Sequence, residues 1–157
     1  MPSPAAIGAG VGGGAVAVAG TSYAAYTQLR PYDNFLDYAN RNGLVYIGEN
    51  DDEITTKVKA DSGDVNGNGY RKNVKDALAS ETGSNKPTDD EINKAGKTGD
   101  ENDKDGTKLT KVLSEVKNWC KKTKLLKPTR TESQDVDWSS INTNANWDNF
   151  KKLCLKK

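Results

Sequence analysis

The hydrophobic positions in the last third of the chain recur at helical spacing. One set of six lies three or four residues apart over three turns: Leu109, Val112, Leu113, Val116, Trp119 and Cys120. The same spacing recurs near the end of the chain, at Trp147, Phe150, Leu153 and Cys154. Residues spaced in this way share one face of a helix. The sequence therefore predicts two amphipathic helices, the first of them limited by Pro128.

The segment from Pro31 to Ile47 predicts a short helix followed by a strand. Pro31 fits the first helical position, because its fixed φ matches a helix and its missing N–H needs no partner there. The helix is expected to run to Ala39 and to stop before Gly43, since glycine favours helix ends. Leu44 to Ile47 is a β-prone run of four residues.

Three more short helices are predicted further along the chain. Ile54 and Val58 lie four residues apart behind an acidic first turn. A second apolar stripe, which ends near Gly83, consists of Val74, Ala77 and Leu78. Thr88 and Glu91 have the spacing of a capping box, in which each residue bonds the other's backbone N–H at a helix start.

These elements predict a mainly α fold: a small charged domain over residues 31–157, with at most a short strand pair and long polar loops. Residues 61–69 form a loop by their Asp, Ser, Asn and Gly content. Residues 96–106 carry no large apolar side chain and are expected to form a mobile loop. The polar stretch 129–146 has only Trp138 and Ile141 as substantial apolar anchors.

Residues 1–30 have a different character and predict a membrane anchor or a signal-like segment. Residues 4–29 hold no charged side chain, and about 20 residues suffice for a helix to cross a bilayer. Their many glycines disfavour a helix in water, but lipid makes helix obligatory. Tyr23 and Tyr26 stand where an aromatic belt marks the interface, before the first charge at Arg30. A cleaved signal peptide and a glycine-rich soluble tail remain alternatives.

Composition excludes several classes of site. Hydrophobic residues make up 34% of the chain and charged residues 29%, and no histidine is present. Without histidine the chain has no Ser–His or Cys–His nucleophilic pair and no His-ligated metal. The acidic pair Asp89 and Asp90 falls in the predicted first turn of a helix, where nothing indicates the burial that acid–base catalysis needs. We therefore expect no enzyme, no cofactor and no metal.

The net charge of +1 is a cancellation between two regions. Residues 30–106 contain 11 basic and 17 acidic residues, whereas residues 107–157 contain 12 basic and 5 acidic ones. Arg130 is the only arginine in the basic region. Nucleic-acid surfaces interleave basic residues with aromatic ones or present an arginine-rich face. The lysines therefore predict a solvated helix surface and no nucleic-acid partner.

A loop beginning at Asp64 resembles the first half of an EF-hand or dockerin calcium loop. Positions 1, 3, 5 and 6 of such a loop are occupied as calcium requires, by Asp64, Asn66, Asn68 and Gly69. Position 12 should be a bidentate carboxylate but is Lys75, and position 8 is Arg71 instead of an apolar residue. Two cations beside a divalent ion lower its affinity, so we expect an Asn/Gly turn without calcium.

Three further features lie at the two ends of the chain. It opens with Met-Pro-Ser-Pro-Ala-Ala-Ile-Gly-Ala-Gly (1–10) and continues with Asp-Tyr-Ala-Asn-Arg-Asn-Gly-Leu (37–44). Trp119-Cys120 and Lys152-Leu153-Cys154 follow later. Together they resemble the large uncharacterised paralogous protein families of haemotropic mycoplasmas. The resemblance implies a membrane-anchored or exported protein outside the cell, and it implies no known activity.

Cys120 and Cys154 are the candidates for a disulfide. Each lies on an apolar helix face, and two cysteines permit only one pairing. An exported protein meets oxidising conditions, and the bond would tie the two amphipathic helices together around Trp119, Trp147 and Phe150. The alternative is two buried thiols in a reducing compartment.

The sequence as a whole predicts a membrane-anchored, non-enzymatic surface protein of the cell membrane, with its soluble part extracellular. Its expected partners are the membrane, through the N-terminal helix, and an unidentified host or surface protein. The alternatives are a secreted adhesin-like protein after signal cleavage, and a soluble calcium-binding module with a degenerate EF-hand-like or dockerin-like loop.

Overall fold

The computed structural model describes residues 30–99, 101–128 and 136–157. The predicted membrane segment lies outside these ranges. The chain divides into two units, Met1–Tyr32 and Asp33–Lys157, and the elements below belong to the second. Within the described ranges, no helix has the length and apolar character needed to span a bilayer.

The described part is mainly helical, as predicted. Its elements are α1 (Phe35–Arg41), β1 (Val45–Tyr46), α2 (Asp51–Ala60), α3 (Tyr70–Ala77), α4 (Asp89–Lys94), α5 (Thr107–Thr123), a 3-10 turn (Ile141–Thr143), α6 (Ala145–Cys154) and β2 (Leu155–Lys156). The sheet has two antiparallel strands, with Val45 opposite Lys156 and Tyr46 opposite Leu155. The short strand pair allowed by the sequence is therefore present.

The first helix begins later than predicted. Asn34, and not Pro31, marks its start, because Oδ1 of Asn34 accepts a hydrogen bond of 3.0 Å from the N–H of Asp37. The prediction from Pro31 was wrong because an asparagine side chain can satisfy a free amide at a helix start, and a proline ring cannot. The predicted stop is confirmed: Gly43 follows the helix with a φ of +73°, a left-handed conformation that glycine adopts freely.

The starts of α2 and α4 are set by their own side chains. Asn50 accepts a hydrogen bond of 3.1 Å from the N–H of Glu53 at the start of α2. At the start of α4, the Thr88 hydroxyl accepts from the N–H of Glu91 at 3.2 Å, and the Glu91 carboxylate accepts from the N–H of Thr88 at 2.7 Å. The predicted capping box is confirmed.

The apolar faces of the helices form one core. The predicted stripe of α5 is buried at four positions: Val112, Val116, Trp119 and Cys120. All four apolar positions of α6 are buried as well: Trp147, Phe150, Leu153 and Cys154. Helix α3 packs against α6, and the Tyr70 hydroxyl donates a hydrogen bond of 3.1 Å to the carbonyl of Leu153 between them. Burial raises the pKa of Tyr70, which keeps this donor protonated.

An aromatic cluster joins α1 to α6. The ring of Phe35 lies 5.4 Å from that of Trp147 and 6.0 Å from that of Phe150. Tyr38 stacks on Trp138 at 5.5 Å and meets Trp147 edge-on at 5.2 Å. Such pairs stabilise by about 0.5–1.5 kcal/mol beyond the burial of their area. The cluster therefore fixes the first helix of the unit onto the last.

The loop that was expected to be mobile is anchored by Asp103, which is only 6% exposed. Its carboxylate accepts hydrogen bonds from the N–H of Gly96 at 2.7 Å and from the N–H groups of Lys108 and Leu109, both at 2.8 Å. The last two amides lie in the first turn of α5, where the helix itself offers no acceptor. One carboxylate therefore closes the loop and caps α5.

Candidate functional site

The two cysteines lie at disulfide distance, as predicted. Cys120 comes from the last turns of α5 and Cys154 is the final residue of α6, and their Cα atoms are 5.9 Å apart in a bonded pair. Both residues are fully buried. The amphipathic spacing of each helix explains this placement, because it directs both thiols into the shared core. The chemistry available to the pair is reversible oxidation.

The backbone around the cysteine pair is closely packed. The N–H of Ile47 donates a hydrogen bond of 2.8 Å to the carbonyl of Cys154, directly beside the strand pair. A Cβ at Gly48 would lie 2.5 Å from Cβ of Cys120 and 2.6 Å from the ring of Tyr46. Only glycine fits there without displacing a neighbour. The pair thus ties together both helices and the chain segment that follows β1.

The loop that resembles a calcium site is organised by its own hydrogen bonds. The Asp64 carboxylate accepts from the N–H groups of Asn66 at 2.7 Å and Gly67 at 3.1 Å, a turn typical of aspartate. The ammonium group of Lys75 lies 3.3 Å from Oδ1 of Asn66 and 2.7 Å from the carboxylate of Asp89. A lysine cation therefore contacts one of the oxygens that a calcium ion would need.

The other cation at this loop, Arg71, is buried in the core at 1% exposure. Its guanidinium donates hydrogen bonds to four backbone carbonyls, those of Asp61, Val58, Ile92 and Ala95. The bonds to Asp61, Val58 and Ala95 measure 3.1, 3.0 and 2.9 Å. The backbone N–H of Arg71 also donates to the Asp61 carboxylate at 2.7 Å. The side chain thus joins the ends of two helices to the 61–69 loop.

Arg71 has a clear electrostatic role. Val58 lies in the last turn of α2, and Ile92 and Ala95 lie at the end of α4. Carbonyls at helix ends lack partners within the helix, and the helix dipole favours a cation there. Burial lowers the pKa of Arg71, and the charge of Asp61 opposes this effect. The arginine remains a cation that holds α2 and α4 together.

Sequence reasoning placed Arg71 beside a divalent ion and missed its structural role. A usable signal was present, because Arg71 precedes Val74 by three residues and Leu78 by seven, which is the helical spacing of the buried stripe. Asp103 was also missed. Its signal was weaker, since an aspartate four residues before a helix has no fixed role.

The acidic pair considered for catalysis lies at the surface. The Asp89 carboxylate contacts Lys75 at 2.7 Å, and the Asp90 carboxylate contacts Lys94 at 2.9 Å. Nearby, Lys111 contacts Glu91 at 2.8 Å beside an open groove of about 480 Å³ at the start of α5. Lys111 and the capping contact to Thr88 hold the pKa of Glu91 below its usual value. These carboxylates act as ion-pair and capping groups.

Residues 30–99, 101–128 and 136–157 contain no group of three or more Cys, Asp or Glu side chains arranged to hold a metal ion. Comparison of the chain with family models, with curated proteins and with solved structures finds no match. The buried cysteine pair is the candidate functional site of the described domain.

We expect calorimetric titration of the full chain with calcium to show no saturable site tighter than about 10⁻⁴–10⁻³ M, the range of weak extracellular modules. Asp64 supplies the loop's one carboxylate at the ligand positions, and the Lys75 ammonium lies against Asn66. A one-to-one site of higher affinity that disappears in Asp64→Ala would contradict this expectation.

Proposed function

We propose that the chain is a membrane-anchored, non-enzymatic surface protein whose domain, residues 31–157, lies outside the cell. The observation that carries this proposal is the bonded, fully buried pair of Cys120 and Cys154. Disulfides persist in oxidising compartments and are rare where glutathione and thioredoxin keep thiols reduced. A buried bridge between two core helices is a structural bond, which fits an exported domain.

The membrane assignment is supported by the charge-free stretch of residues 4–29. Its length is sufficient for a spanning helix, and Tyr23, Tyr26 and Arg30 follow in the order expected at an interface. The resemblance to the paralogous families of haemotropic mycoplasmas, seen at both ends of the chain, supports the same location.

The described surface is polar and solvated. Lysine and carboxylate side chains pair across it, as in the contacts of Lys117 with Asp51 at 2.7 Å and of Lys122 with Glu81 at 2.9 Å. Such pairs are solvated and contribute little to stability. We propose an unidentified host or surface protein as the partner and no nucleic acid.

A secreted adhesin-like protein, released by signal cleavage, is the second candidate and is favoured by the small residues Ala17 and Ala19.

Alkaline carbonate extraction of the membranes of the producing cell tests the proposal. The protein is expected in the membrane pellet with Met1 as its N-terminus, because a spanning helix resists extraction. Alkylation of the same material after denaturation, without reductant, should leave both cysteines unmodified, as measured by mass spectrometry.

Three results would contradict different parts of the proposal. Recovery in the soluble fraction with Met1 intact would exclude the anchor. A new N-terminus near Gly20 would replace the anchored protein by the secreted one. Alkylation of both cysteines without reductant would exclude the bridge and remove the support for an extracellular domain.

A further inference from the structure

The described surface exposes two adjacent leucines at the end of α5. Among the described residues, the large hydrophobic side chains that are exposed are Val45, Leu125 and Leu126. Leu125 is 62% exposed and Leu126 is 40% exposed. They lie in a turn, residues 124–127, whose backbone is fixed: the N–H groups of Leu125 and Leu126 donate to the carbonyls of Lys122 and Thr123 at 3.3 and 3.0 Å. The two leucines are thus held at the surface by ordered backbone.

Lysines surround the leucines. Residues 121–127 contain four lysines, Lys121, Lys122, Lys124 and Lys127. Two carboxylates offset part of this charge: Glu49 contacts Lys124 at 2.6 Å and Lys121 at 3.6 Å, and Glu81 contacts Lys122 at 2.9 Å. The turn therefore combines exposed apolar side chains with an excess of positive charge. Apolar side chains beside cations favour the interface of an anionic membrane.

The stretch of chain between the predicted membrane segment and the hydrogen-bond partners of this turn is short. The N–H of Phe35 donates a hydrogen bond of 2.9 Å to the carbonyl of Leu126, and the N–H of Leu36 donates one of 3.1 Å to the carbonyl of Lys124. Phe35 is the fifth residue after Arg30, which is the first charge after residues 4–29. Because an extended chain spans at most about 3.6 Å per residue, this connection is no longer than roughly 18 Å.

We propose that the 124–127 turn docks onto the surface of an anionic bilayer, with Leu125 and Leu126 inserted at the boundary of headgroups and acyl chains. The exposed Lys121, Lys122 and Lys127 contact lipid phosphates, and their long aliphatic stems lie along the interface. Docking orients the domain, because it brings the C-terminal end of α5 to the membrane. The docking surface rests on the proposed function, because it needs an anchored chain.

Tryptophan quenching by brominated lipid tests this orientation in the full chain. The chain is reconstituted into vesicles of phosphatidylcholine and phosphatidylglycerol with one brominated acyl chain. Leu125→Trp is the probe, and Leu126→Trp is a second probe in case the first disturbs folding.

Asn85→Trp is the matched control, because Asn85 is exposed and lies beside Thr107 and Thr110 at the other end of α5. The 17-residue helix separates the two positions by about 25 Å. The signal of the native tryptophans is subtracted.

We expect quenching of Leu125→Trp to exceed that of Asn85→Trp by about twofold or more, since an interfacial side chain enters roughly 5–10 Å into the lipid. Replacing phosphatidylglycerol with phosphatidylcholine should reduce the quenching at Leu125→Trp. Equal quenching at positions 85 and 125 would overturn the docking surface. Shielding of Leu125→Trp from aqueous iodide without quenching by lipid would also overturn it, because the turn would then be covered by protein.

Vesicle flotation of the wild-type chain separates this inference from the proposed function. Flotation with equal quenching at the two positions would leave the anchor in place and overturn the docking surface alone. Failure of the wild type to float would overturn the anchor and, with it, the docking surface.

Discussion

Replacing Cys154 by serine should lower the free energy of unfolding by about 3–4 kcal/mol, the value that chain entropy gives for a loop of this length. Cys120 and Cys154 are 34 residues apart in the sequence and join the ends of α5 and α6. The bond restricts the unfolded chain, so its loss favours the unfolded state. The effect is large, because the whole free energy of unfolding of a native protein is only about 5–15 kcal/mol. Urea denaturation of the full chain in mild detergent, followed by tryptophan fluorescence, measures it.

Three controls separate the bond from the packing of the sulfur atoms. Cys120→Ser, and the double variant with both serines, should have the same denaturation midpoint as Cys154→Ser. Wild type treated with reductant should approach that midpoint, although it keeps both sulfur atoms in the core. A reduced wild type as stable as the oxidised protein would show that the bond contributes nothing to stability.

Local patterns in the sequence predicted the helices well, and the structure shows why. The stripes of α5 and α6 follow helical spacing over several turns, and each is buried on one face. The capping box at Thr88 was predicted for the same reason, since its two residues act on each other within one turn. Cys120 and Cys154 were brought together because each belongs to such a stripe. The membrane segment stays a prediction, because it lies outside the described residues.

Features that depend on distant parts of the chain were not predictable from these patterns. Strand β2 has only two residues, and Leu155 and Lys156 become a strand because Val45 and Tyr46 lie alongside. Asp103 is buried because its carboxylate accepts hydrogen bonds from the backbone N–H groups of Gly96 and of Lys108 in the first turn of α5. A charged side chain was assumed to be solvated, which is the common case. The exceptions arise where unpaired backbone groups from separate elements converge on one charge.

Replacing Arg71 by methionine should lower the free energy of unfolding by about 3–5 kcal/mol, the cost typical of removing one partner from a buried charged network. The change leaves the carbonyls of Val58, Ile92 and Ala95 buried without their donor, and unsatisfied buried groups cost about 1–3 kcal/mol each. Methionine fills a similar volume and has a similar helix propensity, so the lost hydrogen bonds dominate the effect. The same urea denaturation measures it.

Lys72→Met is the matched control, since Lys72 is the next residue of α3 and its ammonium pairs with Asp76 at the surface at 2.6 Å. An exposed pair of this kind contributes about 0.3–0.5 kcal/mol, so this variant should denature close to the wild type. Arg71→Lys should fall between the two, because an ammonium keeps the charge at the helix ends but cannot reach four carbonyls at once. Equal midpoints for Arg71→Met and Lys72→Met would show that the buried guanidinium does not hold α2 and α4 together.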